Sequence, residues 1–244
     1  DSISTFMRPK LANGKFIKDF VPKNYTPFFC ESNAWQYFWS VQHNIEGLIS
    51  ILKGKENFEK KLDSMFNLSP LLGDKLPIFS TGMIGQYAHG NEPSHHVAYL
   101  YNYVDKPWKT QEKIKEILET QYKNAPNGHC GNEDCGQMSS WFLFSSLGFY
   151  PVNPAQGIYS LGFPIFDKAT INLENGTVFS IEVKNNFSDY KYVESCVLNG
   201  KKLDRNYITH NEIMQGGTLV FTKSKEPNRD MKNKNAITSM VYQN

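Results

Sequence analysis

The spacing of apolar residues changes character near residue 148, and that change limits the folds open to the chain. Before it, apolar side chains recur every three or four positions; after it, they alternate in short runs. Residues 33–53 place Trp35, Tyr37, Phe38, Val41, Ile45, Leu48, Ile49 and Leu52 at helical spacing and end on Gly54, a C-cap residue, which predicts one helix. Residues 55–67 and 93–103 predict two more, the latter with Pro93 in a first turn that tolerates it. Residues 110–122 carry Ile114, Ile117 and Leu118 on one face, as a surface helix does. Residues 136–147 are apolar almost all round, which predicts a helix enclosed between neighbours. Past Pro151, strands are expected at 158–161, 168–173, 177–184, 193–198 and 218–223, with turns at the Asn-Gly pairs 175–176 and 199–200. The reading is α+β, with a helical unit over 1–148 and a small antiparallel β unit over 149–244.

With 244 residues of which 40% are hydrophobic, the chain can bury a real core. A net charge of +2 with both signs interspersed does not make the clustered basic stripe of a nucleic-acid surface. The basic stretch 223–234, with Arg229, Lys232 and Lys234, reads as a solvated end. No run approaches the roughly 18 apolar residues of a membrane span. Four cysteines are too few and scattered for a disulfide scaffold; Cys130 and Cys135 can pair or remain thiols. His129, Cys130 and Cys135 have zinc-ligand chemistry but lack a second half-site. Four Asn-X-Ser/Thr triplets, at Asn24, Asn67, Asn175 and Asn186, are read as chance in an Asn-rich chain.

Three polar clusters each precede a helical pattern with aromatics close by: Glu31-Ser32-Asn33-Ala34-Trp35-Gln36-Tyr37, His89-Gly90-Asn91-Glu92-Pro93-Ser94-His95-His96, and Gly131-Asn132-Glu133-Asp134-Cys135-Gly136-Gln137-Met138-Ser139. Cleaving a glycosidic bond needs one carboxylic acid to protonate the leaving oxygen and a second carboxylate to activate water or attack the anomeric carbon. Glu31, Glu92, Glu133 and Asp134 are candidates. Each can instead cap helix N–H groups, and taken singly capping is the simpler reading. Three such loops bearing Trp35, Tyr37, Trp141, His95 and His96 favour one pocket for a polar ring, with aromatic faces to stack on a sugar. Asn91 and Glu92 have oxygen donors of the kind calcium prefers. The His95-His96 pair reads most simply as one packed and one hydrogen-bonding ring.

At these motifs the chain resembles glycoside hydrolase family 92, the calcium-dependent, inverting, exo-acting α-mannosidases. The likeness runs from Phe6-Met-Arg-Pro through the three clusters to Gly148-Phe-Tyr-Pro-Val. It implies part of an (α/α)6 toroid, corresponding to roughly the last third of an enzyme whose N-terminal β-sandwich is the partner across the site. It implies Glu31 as general acid and Asp134 as base, with acid and base roughly 6.5–9.5 Å apart to admit the water. Asn132 stands where some relatives carry a second aspartate, so an amide would position the water. Trp35, Gln36, His89, Glu92, His95 and Glu133 would hold the mannoside, and Asn91 and Glu92 would lie at the calcium. Gly90 replaces a glutamate of some α-1,2-acting members, which leans away from strict α-1,2 specificity. A secreted, periplasmic or cell-surface location goes with glycan trimming. The rival readings are a non-catalytic mannoside-binding module and a structural helical fragment whose acids are caps.

Overall fold

The computed structural model describes residues 5–70, 76–230 and 237. Its helical part opens with α1 (Ala34–Tyr37), α2 (Ile45–Ile51) and α3 (Lys55–Asn67). The single helix expected over 33–53 is broken between α1 and α2. The Trp39 carbonyl accepts from His96 Nε2 at 2.7 Å and from the Val41 N–H at 2.7 Å, so a tertiary partner takes the acceptor that a continuing helix would use. Asn44 then restarts the helix by accepting from the Gly47 N–H at 2.8 Å. α3 has the expected limits, and its Phe58, Leu62 and Met65 are fully buried along one stripe.

A short antiparallel pair follows, β1 (Met83–Ile84) with β2 (Tyr87–Ala88). The helix expected over 93–103 is wound instead as 3-10 turns, Glu92–Ser94 and Val97–Val104. Every side chain of the second is buried, and the tighter winding lets one short segment face several neighbours at once. α3, α4 (Pro107–Thr120) and the later strand β4 (Ile158–Leu161) all pack on it. α4 starts three residues earlier than its apolar stripe suggests, because Pro107 suits a first turn. Its Ile114 and Ile117 are fully buried. α5 (Gln137–Leu147) buries Met138 and Trp141 completely but leaves Leu143 54% exposed, so the helix expected to be enclosed has an open face.

Beyond it lie β3 (Phe149–Tyr150), β5 (Lys168–Asn172), β6 (Val178–Lys184), β7 (Tyr192–Leu198), β8 (Lys201–Lys202), β9 (Tyr207–Thr209), α6 (His210–Met214) and β10 (Gly217–Ser224). Strands β3, β4 and β9 form one antiparallel sheet and β5-β6-β10-β7-β8 a second. The expected antiparallel pattern fails at one place, since β10 inserts parallel to β6, with Gly217 opposite Phe179. α6 is an addition: Thr209 and Glu212 close a capping box around it. The turn at Asn199-Gly200 has both residues at positive φ, as a two-residue hairpin turn demands. Lys223, read as solvated, is 3% exposed in β10 and donates to Asn186 Oδ1 at 2.6 Å; Lys232 and Lys234 lie outside the described residues. Buried apolar residues of the helices and the sheets, among them Trp39, Tyr99, Phe149 and Phe221, form one connected cluster.

Candidate active site

The three acidic loops are brought together. Glu31 sits in the turn before α1 with a left-handed backbone, φ 54°, and Asp134 has φ 45° in the turn before α5. Cys135 (φ 58°) and Gly136 (φ 88°) continue that left-handed run. Non-glycine residues adopt this conformation at a cost, and such strain gathers at functional sites. Both carboxylates are exposed to solvent. Glu92 starts a 3-10 turn near enough to both to feel their charges, and its carboxyl group is held above the usual carboxylate range. Burial is the first cause; the charge and a hydrogen bond of Asp134 add to it, and the charge of Glu31 adds more. Glu92 Oε1 is buried with no hydrogen-bond donor, as it would be where two carboxyl groups meet over one proton or face a cation.

Two contacts made to backbone carbonyls hold the loops in place. The Asn91 amide donates to the Glu31 carbonyl at 3.4 Å, joining the first loop to the second. Gly131 joins the second to the third: a Cβ on it would lie 2.3 Å from the Gly90 carbonyl oxygen. A cavity of about 250 Å3 opens beside Glu31, lined also by Ser32, Gln36, Tyr37, Asn91 and Ser94. Asn132 is exposed on the same loop as Asp134.

Other candidates are committed elsewhere. His89 is fully buried, with one ring nitrogen 2.7 Å from the Tyr87 hydroxyl and the other 2.7 Å from the Tyr122 hydroxyl. His95 stacks on His89 at 4.7 Å, donates to the His89 carbonyl and takes a hydrogen bond from the Gln137 amide. Burial pushes His89 well below the usual imidazole value and His95 down to about 4, so both rings are neutral in the core. His96 is likewise buried and pushed down to about 4. Both rings of the pair are therefore packed and hydrogen-bonded.

Glu133 takes the capping role: it accepts from the Ser139 N–H at 3.1 Å and the Ser139 hydroxyl at 2.9 Å, which lowers its pKa, and His129 Nδ1 lies 2.8 Å away. Trp35 does not line the cavity of Glu31. It packs edge-on against Phe6 at 4.7 Å, with the Lys61 ammonium 5.2 Å from its ring. Gln36 does reach the cavity but is tied into an amide network, donating to the Tyr25 hydroxyl and the Gln86 carbonyl and accepting from Ser32 at 2.6 Å. Gln86 and Asn33, both fully buried, complete that network through a 3.0 Å bond. The sequence drew no attention to Gln86 and assigned no role to Gln137 within its cluster, because an amide carries no local pattern that tells a positioning role from a surface one.

The cysteines are free thiols; Cys30 and Cys135 are exposed, and burial pushes Cys130 up to about 11. Among the described residues, no group of three or more His, Cys, Asp or Glu side chains is arranged to hold a metal, and no helix is long and apolar enough to cross a membrane.

The model of the glycosyl hydrolase family 92 catalytic domain matches residues 1–225. The chain belongs to glycosyl hydrolase family 92. It is similar to a family 92 α-mannosidase of Bacteroides thetaiotaomicron solved with mannoimidazole, at 37% identity and a TM-score of 0.91 over 99% of this chain and 33% of that one. An inverting mannosidase of the same organism matches at 36% identity and a TM-score of 0.82, over 97% of this chain and 33% of that one. A protein of Arthroderma benhamiae described as an uncharacterized secreted glycosidase is 30% identical over 199 residues, which is 80% of this chain and 24% of that protein. This family 92 chain thus spans about a third of the length of these solved relatives and a quarter of that secreted one.

Proposed function

We propose that this chain forms one wall of the active site of an exo-acting α-mannosidase, with the remainder of a family 92 enzyme supplying the other wall. The observation that carries the proposal is the meeting of the loops of Glu31, Glu92 and Asp134 through the Asn91–Glu31 hydrogen bond and the close approach of Gly131 to Gly90, with the pKa of Glu92 raised in keeping with it. An isolated cap has no need of carboxylate neighbours, and like charges gathered at an exposed site are a cost that catalysis explains. Glu31 then protonates the departing glycosidic oxygen, and Asp134 draws a proton from the water that attacks the far face of the mannose ring. Asn132 orients that water. The relative described as inverting supports the single-displacement course.

A calcium ion suits the chemistry of Glu92 Oε1, a buried oxygen without a donor, and of the neighbouring Asn91 amide oxygen. These two oxygens would supply only part of a coordination shell, the rest coming from other oxygen donors. The ion would polarise the sugar hydroxyls. Gly90 stands where some α-1,2-acting members carry a glutamate, and a Cβ there would lie 2.0 Å from Thr81 Oγ1; the missing side chain leans away from strict α-1,2 specificity. The test is mannose release by the full-length enzyme from an aryl α-mannoside and from the three mannobioses, with calcium and with EDTA. Calcium-dependent release is expected, slowest on the α-1,2 disaccharide; no release from any of them overturns the reading.

A further inference from the structure

A cleft of about 790 Å3 opens where residues 5 and 6, α1 and the pair α2 and α3 come together. Lys61 of α3 lines it and is only 9% exposed. Its ammonium lies 3.5 Å from the centre of the Phe6 ring, 4.4 Å from that of Phe38 and 5.2 Å from that of Trp35. It donates to the Thr5 hydroxyl at 3.1 Å. Among the described residues no carboxylate lines the cleft or pairs with Lys61, and burial alone lowers its pKa to about 8. Aromatic faces return part of the hydration a cation loses, but a buried ammonium without a counter-charge stays costly. Lys53 and Lys60 stand exposed at the rim beside Ile51, which is 67% exposed.

We propose that this cleft seats a segment from the part of the full-length polypeptide outside this chain, which presents an Asp or Glu to Lys61 and apolar side chains to Ile51, Phe6 and Trp35. The solved relatives have the length to supply it, since this chain matches only 33% of each. Charge chooses the occupant. A second copy meeting this face about a two-fold axis would bring lysines against lysines, whereas a carboxylate gives Lys61 the counter-charge it lacks. The seat also bears on the acid site. Trp35 of α1 lines the cleft, while Gln36 and Tyr37 of the same four-residue helix line the cavity beside Glu31. So short a helix depends on what packs against it, and a segment seated on Trp35 braces the turn that carries Glu31.

The test needs no variant. The native full-length protein is acetylated briefly with acetic anhydride and, in a separate sample, treated with a zero-length carbodiimide; peptide mass mapping then locates the modified lysines. Lys53 and Lys60 should acetylate at least about 10-fold more slowly than Lys201 and Lys202, exposed on β8, because a covered amine reacts only through local opening. The carbodiimide should join Lys61 to an Asp or Glu outside this chain. Acetylation of Lys53 and Lys60 as fast as that of the β8 pair overturns the proposal. So does a Lys61 link to a carboxylate of this chain, a link between isotopically labelled and unlabelled copies, or no Lys61 link at all. Neither readout requires mannose release, so the docking segment and the mannosidase reading stand or fall separately.

Discussion

Gly131 lies so close to Gly90 that a single methyl group on it would sit 2.3 Å from the Gly90 carbonyl oxygen. Two glycines thereby fix the loop of Asp134 against the loop of Glu92. Gly131→Ala should force the loops apart at a cost of about 1–3 kcal/mol and reduce activity well beyond what the stability change explains. Urea unfolding and kcat/KM on an aryl α-mannoside, measured on the full-length enzyme, check this. A variant of normal activity would mean that the loops need no such contact.

The buried histidines set the acid limit of the fold. An unfolded imidazole takes up its proton near pH 6.5, whereas His95 and His96 do so only at about 4. The folded state binds fewer protons in this window, so stability is full above pH 6.5 and drains away as pH falls toward 4. Each ring accounts for on the order of 3 kcal/mol across it. Denaturant midpoints should drop steeply between pH 7 and 5, and His96→Gln should flatten the slope. A flat profile for the unaltered protein would contradict the account.

His89 is expected to act on the fold and not on the sugar. His89→Leu removes the ring that bonds the Tyr87 hydroxyl and one of the two partners of the Tyr122 hydroxyl, costing about 2–3 kcal/mol. KM of the folded enzyme should hold. A raised KM with unchanged stability would restore a direct contact with substrate.

Much of this was legible in the sequence, for identifiable reasons. α3 and β4 follow local patterns and appear with the expected limits, and the turn at Asn199-Gly200 is dictated by two positive φ angles. The break between Trp39 and Asn44 was not legible, since it depends on His96, far along the chain, claiming the Trp39 carbonyl. The parallel seat of β10 beside β6 is a matter of strand order, which alternation within a strand does not encode. In the site, residue type pointed to Glu31, Glu92 and Asp134, which the fold gathers. It could not separate them from Glu133, whose two bonds to Ser139 make it a cap, or from His89 and His95, whose ring nitrogens are taken up inside the core.

The central claim is that Glu31 gives a proton to the leaving group and Asp134 takes one from water. The most direct measurement compares Glu31→Gln and Asp134→Asn in the full-length enzyme on two α-mannosides, one with a sluggish leaving group and one with 2,4-dinitrophenol. A leaving group that departs without a proton has no need of the acid. Glu31→Gln should therefore lose about 10²–10⁴ in kcat/KM on the first substrate and little on the second, while Asp134→Asn loses that much on both. Equal losses for Glu31→Gln on the two substrates, or none on either, would contradict the assignment.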